Sequence, residues 1–300
     1  MKDGRVARDG LVLLGCGKMG SAMLEGWLKD GLPASSVFVI DPQPSDWLQG
    51  TGVNLNTDLP EAPAIVLVAV KPQMMGAALP TLQAMGNGET LFISVAAGTS
   101  IAHFEEVLGA QTPIIRAMPN TPAAVAQGIT AIIGNAHTTS AHLDMAEGLL
   151  KAVGEVVRLT SEAQIDAVTG VSGSGPAYVF HLIETLAKAG EAQGLPADMS
   201  MQLAKATVAG AGALAMQADE PPAQLRVNVT SPNGTTQAGL EVLMDETTGL
   251  PPLIERTVAA AADRTVASLT RLRRLSRGHE PLIRSAAAPG GARGWSDDEV

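Results

Sequence analysis

The sequence predicts an α/β domain followed by an all-helical domain. Up to about residue 160, short apolar runs alternate with segments in which apolar residues recur at helical spacing. Beyond that point the short runs stop, and long Ala-rich helical patterns replace them. We therefore expect an α/β domain over residues 11–160 and a helical domain over residues 161–275. Residues 276–300, rich in Arg, Gly, Pro and Ala, are expected to form a disordered tail.

The short apolar runs of the first half are predicted to be strands of one sheet. Most of them are apolar at every position, which is typical of parallel strands that helices cover on both faces. A helical pattern follows the first run and ends at Gly31-Leu32-Pro33, as expected of the first strand–helix unit. The predicted strands are 11–14, 37–40, 64–70, 90–95, 113–117, 129–133 and 156–159.

The second half is predicted to contain long helices that are rich in small and flexible apolar residues. Helical patterns lie around residues 183–186, through 201–216 and through 253–272. Their Ala, Gly and Met positions are more numerous than one small bundle is able to bury. We therefore expect a homodimer that forms by helix–helix packing in this half.

The composition excludes several classes of protein. The chain of 300 residues is 46% hydrophobic and carries 30 acidic against 20 basic residues, a formal net charge of -10. This charge disfavours nucleic-acid and anionic membrane surfaces as partners, and no apolar run reaches the ~18 residues of a membrane span. The single cysteine, Cys16, excludes an internal disulfide, and the five scattered His residues show no metal-ligand spacing. The polar start has no secretory apolar run, so we expect a cytoplasmic protein.

A glycine-rich motif, GCGKMG at residues 15–20, lies between the first predicted strand and the first helix. In this context Gly15 permits a tight turn, Gly17 permits close approach of a pyrophosphate, and Gly20 permits close packing of helix and strand. The N-terminus of the helix adds N–H donors and a partial positive charge. The motif therefore predicts a Rossmann-type dinucleotide-binding domain. The alternative is a glycine-rich turn that binds no ligand.

An acidic residue, Asp41, ends the second predicted strand about 20 residues after Gly20. A carboxylate at this place binds the 2′-hydroxyl of the adenosine ribose and favours NAD(H). Residues 42–46 contain no Arg or Lys that would receive the 2′-phosphate of NADP(H). The residues alone therefore favour NADH, and the alternative is that Asp41 only begins an Asp-Pro turn.

Three further loops follow predicted strands, at residues 70–73, 96–99 and 118–122. Because parallel strands bring their carboxyl ends to one edge, we expect these loops to line the ligand-binding edge of the sheet. Lys71 is the only Lys among them and is placed to offset phosphate charge. The alternative is that each loop is an ordinary turn at the end of a strand. For Lys71, the alternative is that its side chain contacts only solvent.

A hydroxyl-rich loop, residues 229–236, leads into a helical pattern in the second half. Such a loop binds an anion through backbone N–H groups and the positive end of the helix, and it holds a carboxylate without any Arg. The alternative is an ordinary N-cap formed by Ser231 or Thr235. The density of hydroxyls together with Gly234 favours a binding function, and we expect a substrate carboxylate there.

Five strings in the sequence resemble one known family: VAVKPQ, VAAGTSI, RAMPNTPAAV, VSGSGPAYVFHLIE and NVTSPNGTTQAGLEVL. They are similar to those of pyrroline-5-carboxylate reductase, and the resemblance covers about residues 11–273. It implies an N-terminal dinucleotide-binding domain, and a C-terminal helical domain that intertwines with a partner subunit. It also implies dimers that assemble into rings, such as a homodecamer. The implied reaction makes proline from 1-pyrroline-5-carboxylate by hydride transfer from NADPH or NADH to the ring imine.

The resemblance also implies site residues. Thr236 and Ser231 would act on the reacting ring, with Thr236 bonding the ring nitrogen, and Asp58 would lie near a cofactor position often occupied by Asn. Many members favour NADPH, which opposes the preference for NADH that Asp41 indicates. The other implied cofactor contacts are Gly15, Cys16, Gly17, Lys18, Met19, Val70, Lys71, Pro72 and Ala97. The implied substrate contacts are Val229, Ser231, Gly234, Thr235 and Thr236, together with Asp219.

Two alternative functions are open at this point. A β-hydroxyacid dehydrogenase of related architecture needs a base to accept the hydroxyl proton. It resembles this chain in layout but has a Lys and an Asn on the helix after an interdomain Gly-x-Gly, where this sequence has Val179 and Ile183 after Gly175. A nucleotide-sensing protein without turnover would keep the glycine-rich loop but has no use for the loop at 231–236. A protonated imine is already electrophilic, so the lack of an evident base favours imine reduction.

Overall fold

A computed structural model describes residues 4–277, and the side chains of residues 4–265. The described residues contain eight strands, all in the first half of the chain. They are β1 (Leu11–Leu14), β2 (Val37–Ile40), β3 (Asn54–Leu55), β4 (Ile65–Val68), β5 (Leu91–Ser94), β6 (Ile114–Met118), β7 (Gly128–Gly134) and β8 (Gly154–Arg158). The strands form one sheet in the order β3-β2-β1-β4-β5-β6-β7-β8. The Rossmann-type α/β domain followed by a helical domain is therefore confirmed.

Twelve α-helices occur among the described residues, six of them interspersed with the strands. Those six are α1 (Gly4–Asp9), α2 (Lys18–Lys29), α3 (Asp46–Gln49), α4 (Met75–Ala78), α5 (Ile101–Leu108) and α6 (Ser140–Leu150). The helices of the second half are α7 (Gln164–Val168), α8 (Gly175–Ala192), α9 (Ala197–Gln217), α10 (Pro222–Asn228), α11 (Thr235–Leu243) and α12 (Leu250–Arg277). Of the predicted tail, residues 278–300 lie outside the described residues.

One pair of strands departs from the prediction of a parallel sheet. β7 runs antiparallel to β6, with Ala117 opposite Ile132. The reason is the length of the connection, residues 119–127, which holds only a short 3-10 turn. A parallel return needs a crossover of a dozen or more residues, whereas an antiparallel neighbour does not. The remaining pairs of neighbouring strands are parallel. Strand β3 was not predicted, because its two residues are too few to show a pattern.

The sheet has a hydrophobic core on each face. Successive side chains of β1 point to opposite sides, so that Leu13 enters one core and Leu14 the other. Helices α2 and α6 cover the first face, and α4 and α5 cover the second. Trp27 of α2 is fully buried, and its indole Nε1 donates a hydrogen bond to the carbonyl of Leu149 at 2.9 Å. These layers fix the strand ends that precede the glycine-rich loop.

The helical half leaves large apolar side chains exposed in the single chain. Phe180 is 59% exposed, Leu214 is 54% exposed, and Val242 is 76% exposed. Helices α8 and α9 pack on each other, whereas α10 and α11 pack extensively against no other described element. An exposed apolar surface of this kind marks an interaction site. Among the helices that the structure describes, none has both the length and the apolar character that a membrane span requires.

Candidate active site

Two glycines of the glycine-rich loop have no room for a side chain, each because of a different contact. Gly15 has a φ of +86°, and a Cβ there would lie 2.9 Å from Cγ1 of Val70. Both the left-handed backbone and the contact exclude a side chain. A Cβ on Gly20 would lie 2.6 Å from the carbonyl oxygen of Gly15. Gly20 therefore lets α2 start directly against the turn, which is the role expected of the third glycine.

Gly17 is the open position of the loop. A Cβ built there would meet nothing within 4 Å, and Gly17 is the N-cap of α2 with no side chain capping the helix. The first N–H groups of a helix have no partner within that helix. An anionic group is thus free to approach Gly17 and the N–H groups of Lys18 and Met19. The arrangement fits the pyrophosphate of a dinucleotide.

Asp41 is held beside this loop. Its Oδ2 accepts a hydrogen bond from the backbone N–H of Cys16 at 2.8 Å, and its Oδ1 accepts one from the N–H of Gln43 at 2.8 Å. Asn56 clamps its backbone, because the amide Nδ2 donates to the Asp41 carbonyl at 2.9 Å and Oδ1 accepts from the Asp41 N–H at 3.0 Å. The carboxylate therefore has a fixed place at the loop and keeps lone pairs for a ribose hydroxyl.

Asn56 is a residue that sequence reasoning missed. It follows β3 directly and adopts a left-handed φ of +52°, a conformation that Asn tolerates better than most residues. Asp58, the position suggested instead, is exposed two residues further on. Asn56 therefore holds the backbone of Asp41 in place. The only signal for it in the sequence was that Asn is a residue type common in turns.

The Cys16 thiol is a buried filler in this loop. Burial raises its pKa, a hydrogen-bonding contact with Ser21 lowers it, and the negative charge of Asp41 raises it again. The net shift is upward, so the thiol stays protonated near neutral pH. A protonated, buried thiol is a poor nucleophile, which agrees with a packing role.

The other predicted cofactor residues meet at the same edge of the sheet. β1, β4 and β5 are parallel and in register, with Leu14 beside Val68 and Val68 beside Ser94. Their carboxyl ends therefore bring the glycine-rich loop next to Val70 and next to the loop that contains Ala97. Four of the predicted residues at this edge are exposed to solvent and accessible to a ligand: Gly17, Lys18, Lys71 and Ala97.

The hydroxyl-rich loop begins α11 without a side-chain cap. Gly234 is the N-cap, and its own N–H donates to the carbonyl of Ser231 at 3.0 Å. The ordinary N-cap by Ser231 or Thr235 is therefore wrong. The side chain of Gln237 accepts from the N–H of Asn233 at 2.7 Å, which stabilises the left-handed turn there. The first N–H groups of α11 stay available for an anion.

Most of the predicted substrate residues are exposed in the single chain, and neither α10 nor α11 packs extensively against a described strand. Val229, Ser231, Thr235 and Thr236 are exposed, and Asp219 is exposed between α9 and α10. The predicted cofactor residues thus lie at the edge of the sheet, and most of the predicted substrate residues lie in the loop that begins α11.

Two polar contacts join the helical half to the edge of the sheet. Oε1 of Glu162 accepts a hydrogen bond from the buried Arg116 of β6 at 2.9 Å. The amide Nδ2 of Asn120, in the loop after β6, donates to the carbonyl of Ser172 at 3.1 Å. Ser172 belongs to a π-helical turn, Thr169–Gly173, that leads into α8. π-helical turns occur frequently at functional sites.

Arg116 and Glu162 were not predicted. Arg116 is a charged residue inside an otherwise apolar run, and a buried charge needs a partner. That pattern is visible in the sequence, but the partner lies 46 residues away and no local spacing points to it.

Comparisons with known proteins agree with this geometry. Residues 162–268 match a family model described as pyrroline-5-carboxylate reductase dimerisation, and residues 11–98 match one described as NADP oxidoreductase coenzyme F420-dependent. The pyrroline-5-carboxylate reductase of Pseudomonas aeruginosa is 37% identical over 261 residues, covering 85% of this chain and 95% of the relative. The one from Synechocystis is 40% identical over 262 residues, covering 85% and 96%. The chain belongs to the pyrroline-5-carboxylate reductase family.

Solved structures of this family share the fold. The pyrroline-5-carboxylate reductase of Coxiella burnetii has a TM-score of 0.82 and 31% identity, covering 87% of this chain and 98% of that one. The Plasmodium falciparum protein, solved with NADP bound, has a TM-score of 0.75 and 28% identity over the same shares. The dimerisation model covers the half with the exposed apolar helices, so this half is the self-associating part of the chain. Among the described residues, no group of three or more His, Cys, Asp or Glu is placed to hold a metal ion.

Proposed function

We propose that this protein reduces 1-pyrroline-5-carboxylate to proline with NADH or NADPH. The observation that supports it best is the pair of uncapped helix N-termini, one behind the glycine-rich loop and one behind the hydroxyl-rich loop. One suits a pyrophosphate and the other a small carboxylate. This combination occurs in a chain whose curated relatives are named for that reduction.

The residues at the sheet edge fit a dinucleotide. Gly17 and the first N–H groups of α2 would bind the pyrophosphate, Asp41 the adenosine ribose, and Lys71 would offset phosphate charge. NAD(P)H supplies the hydride when it is bound. Asp41 places a negative charge where the extra phosphate of NADPH would lie, so we propose that NADH is the preferred cofactor.

The loop at 229–236 supplies what the ring needs. The free N–H groups at the start of α11 would hold the carboxylate of the substrate. The hydroxyl of Thr236 would accept a hydrogen bond from the protonated ring nitrogen, and Ser231 would flank it. Because the protonated imine is already electrophilic, the protein needs to align the ring more than to activate it. Such alignment is worth about 7 to 11 kcal/mol of a reaction barrier.

We further propose that the active site is completed in the dimer. The hydroxyl-rich loop is exposed in the single chain, and α10 and α11 lack extensive contacts with other described elements. Dimerisation through the helical half would bring this loop to a nicotinamide site. Rings of dimers are the larger assembly that we propose, and light scattering of the purified protein measures their size.

We also propose that the protein acts in the cytoplasm, because the cytoplasm of a cell contains NAD(P)H.

The direct test is an assay with both cofactors. Purified protein, pyrroline-5-carboxylate and either NADH or NADPH are mixed, and the absorbance of the reduced nicotinamide is followed. We expect consumption with both and faster consumption with NADH at low concentration. No consumption above background with either cofactor would remove the reductase and favour the nucleotide-sensing alternative.

A second experiment tests the shared site. A chain with Thr236→Ala is mixed with a chain with Gly17→Trp, and subunits are exchanged to form mixed dimers. If each site uses the cofactor loop of one chain and the hydroxyl-rich loop of the other, mixed dimers regain one complete site. Activity that stays at the level of the two parents would show that each chain builds its own site.

A further inference from the structure

A single carboxylate oxygen of Glu162 joins three parts of the molecule. Oε1 accepts a hydrogen bond from Nη1 of Arg116 in β6 at 2.9 Å, and a second from the backbone N–H of Ile101 in α5 at 2.9 Å. Glu162 itself lies between β8 and α7, at the first residue of the dimerisation half. The contact therefore links the sheet, a helix on its face and the start of the helical half.

The Ile101 contact acts on the loop at the cofactor edge. Ile101 is the first residue of α5, and its N–H is one of the donors that a helix cannot satisfy internally. Ser100 caps the N–H of His103 at 3.4 Å, so Glu162 and Ser100 together secure this helix end. The loop directly before it contains Ala97 and the left-handed Gly98. A negative charge at this end is also favoured by the helix dipole.

The Arg116 contact determines where the carboxylate sits. Arg116 lies beside Ser94 in the β5–β6 pair, and it is only 5% exposed. A buried guanidinium needs a charged partner, because an unpaired buried charge is strongly unfavourable. Glu162 is one-third exposed at its side chain and reaches inward to meet it. Arg116 thus fixes Glu162, and Glu162 fixes the beginning of α5.

The order of the strands shows which part of the cofactor this loop serves. Asp41 follows β2, the glycine-rich loop follows β1, and Ala97 follows β5 on the other side of β1 and β4. If the adenosine ribose is at Asp41 and the pyrophosphate at Gly17, the second nucleotide extends over β4 and β5. The loop that Glu162 secures is therefore on the nicotinamide side.

We propose that Glu162 is a positioning residue for hydride transfer, which acts from the helical half on the loop at residues 97–100. This inference rests on the proposed reductase activity. By holding the N–H of Ile101, Glu162 fixes the loop that would contact the nicotinamide ring. It also makes the placement of that ring depend on the attachment of the helical half.

The test separates orientation from binding and from stability. In Glu162→Ala, we expect kcat to fall about 10- to 100-fold, because a displacement of about 1 Å near the chemistry costs up to about 100-fold. The Kd of NADH, measured by titration, is expected to change by less than about threefold, because the pyrophosphate and ribose sites stay intact. Glu162→Gln keeps an oxygen acceptor for the N–H of Ile101 but removes the charge that pairs with Arg116, so we expect a lower Tm and a kcat between those of the parent and of Glu162→Ala.

The double variant Arg116→Met with Glu162→Ala covers the case in which Glu162→Ala fails to fold. It replaces the charged pair with apolar groups, which is often neutral for stability, but it does not restore the acceptor for Ile101. We expect a recovered Tm with kcat still low. The matched control is Glu147→Ala, which breaks surface ion pairs with Lys151 and Arg158 away from the cofactor edge and should leave kcat unchanged.

Three results would overturn the proposal: a parental kcat in Glu162→Ala, a double variant that regains both Tm and kcat, or a Glu162→Gln variant as slow as Glu162→Ala. All three are judged against the parent protein. A parent that shows no turnover removes the proposed function itself, so the two failures are distinguishable.

Discussion

Replacing Gly17 with Ala should impair dinucleotide binding without harming the fold. The backbone at Gly17 is extended, with φ of -71° and ψ of -162°, and a Cβ there meets nothing within 4 Å. An extended backbone accepts Ala, and Ala is a poorer N-cap than Gly, so we expect the free energy of unfolding to fall by less than about 1 kcal/mol. The new methyl group would occupy the space where the pyrophosphate must approach α2.

The loss of affinity follows from the N–H groups at this helix end. Each hydrogen bond to a charged group is worth about 1.5 to 3 kcal/mol, and each 1.4 kcal/mol changes Kd about tenfold. Loss of one such bond at the start of α2 therefore predicts a Kd for NADH about 10- to 100-fold higher. NADH fluorescence titration measures the Kd, and denaturant unfolding without cofactor measures the stability.

Two further glycines serve as controls. Gly148→Ala adds the same methyl group to an open position of α6 and should leave the Kd unchanged. Gly20→Ala forces a Cβ within 2.6 Å of the Gly15 carbonyl oxygen and should cost about 1 to 3 kcal/mol of stability. If Gly17→Ala binds NADH as tightly as the parent, the pyrophosphate does not lie at the N-terminus of α2. A large loss of stability in Gly17→Ala would refute the open loop.

Three other predictions concern cofactor choice, turnover and packing. Asp41→Ser should raise the ratio of kcat/KM for NADPH to kcat/KM for NADH about 10-fold or more, because no carboxylate then repels the 2′-phosphate. An unchanged ratio would show that Asp41 does not select the cofactor. Thr236→Ala should lower kcat about 10- to 100-fold with the Kd of NADH nearly constant, while Thr236→Ser should retain most of kcat; equal loss of turnover and cofactor binding would make the loop structural. Trp27→Phe removes the donor to the Leu149 carbonyl and should lower the free energy of unfolding by about 1 to 3 kcal/mol, measured in denaturant; a parental midpoint would contradict the importance of that bond.

The sheet half was predictable because its information is local. Apolar runs gave the strands other than β3, and the spacing of Gly15, Gly17 and Gly20 predicted the turn, the open position and the close packing. The prediction of a parallel sheet was wrong at β7, because the apolar pattern of a strand does not record its direction. Only the short connection at residues 119–127 decides it.

The contacts that hold the site were less predictable because they are long-range. Asn56 and Asp41 are 15 residues apart, and Glu162 and Arg116 are 46 residues apart. No periodicity records such pairings, since each partner is an ordinary polar residue at the end of a different element. Arg116 stands out within an apolar strand, but its partner emerges only when the chain folds.

Because α8 to α12 expose apolar faces, the stability of the protein is expected to depend on its own concentration. A protein that hides such faces only by pairing has a folding equilibrium that is bimolecular, so its midpoint of denaturation rises with the amount of protein present. Dilution would then erode stability and turnover together, although every atom of the individual subunit is unchanged. Enzymes of this kind are best compared at matched subunit molarity.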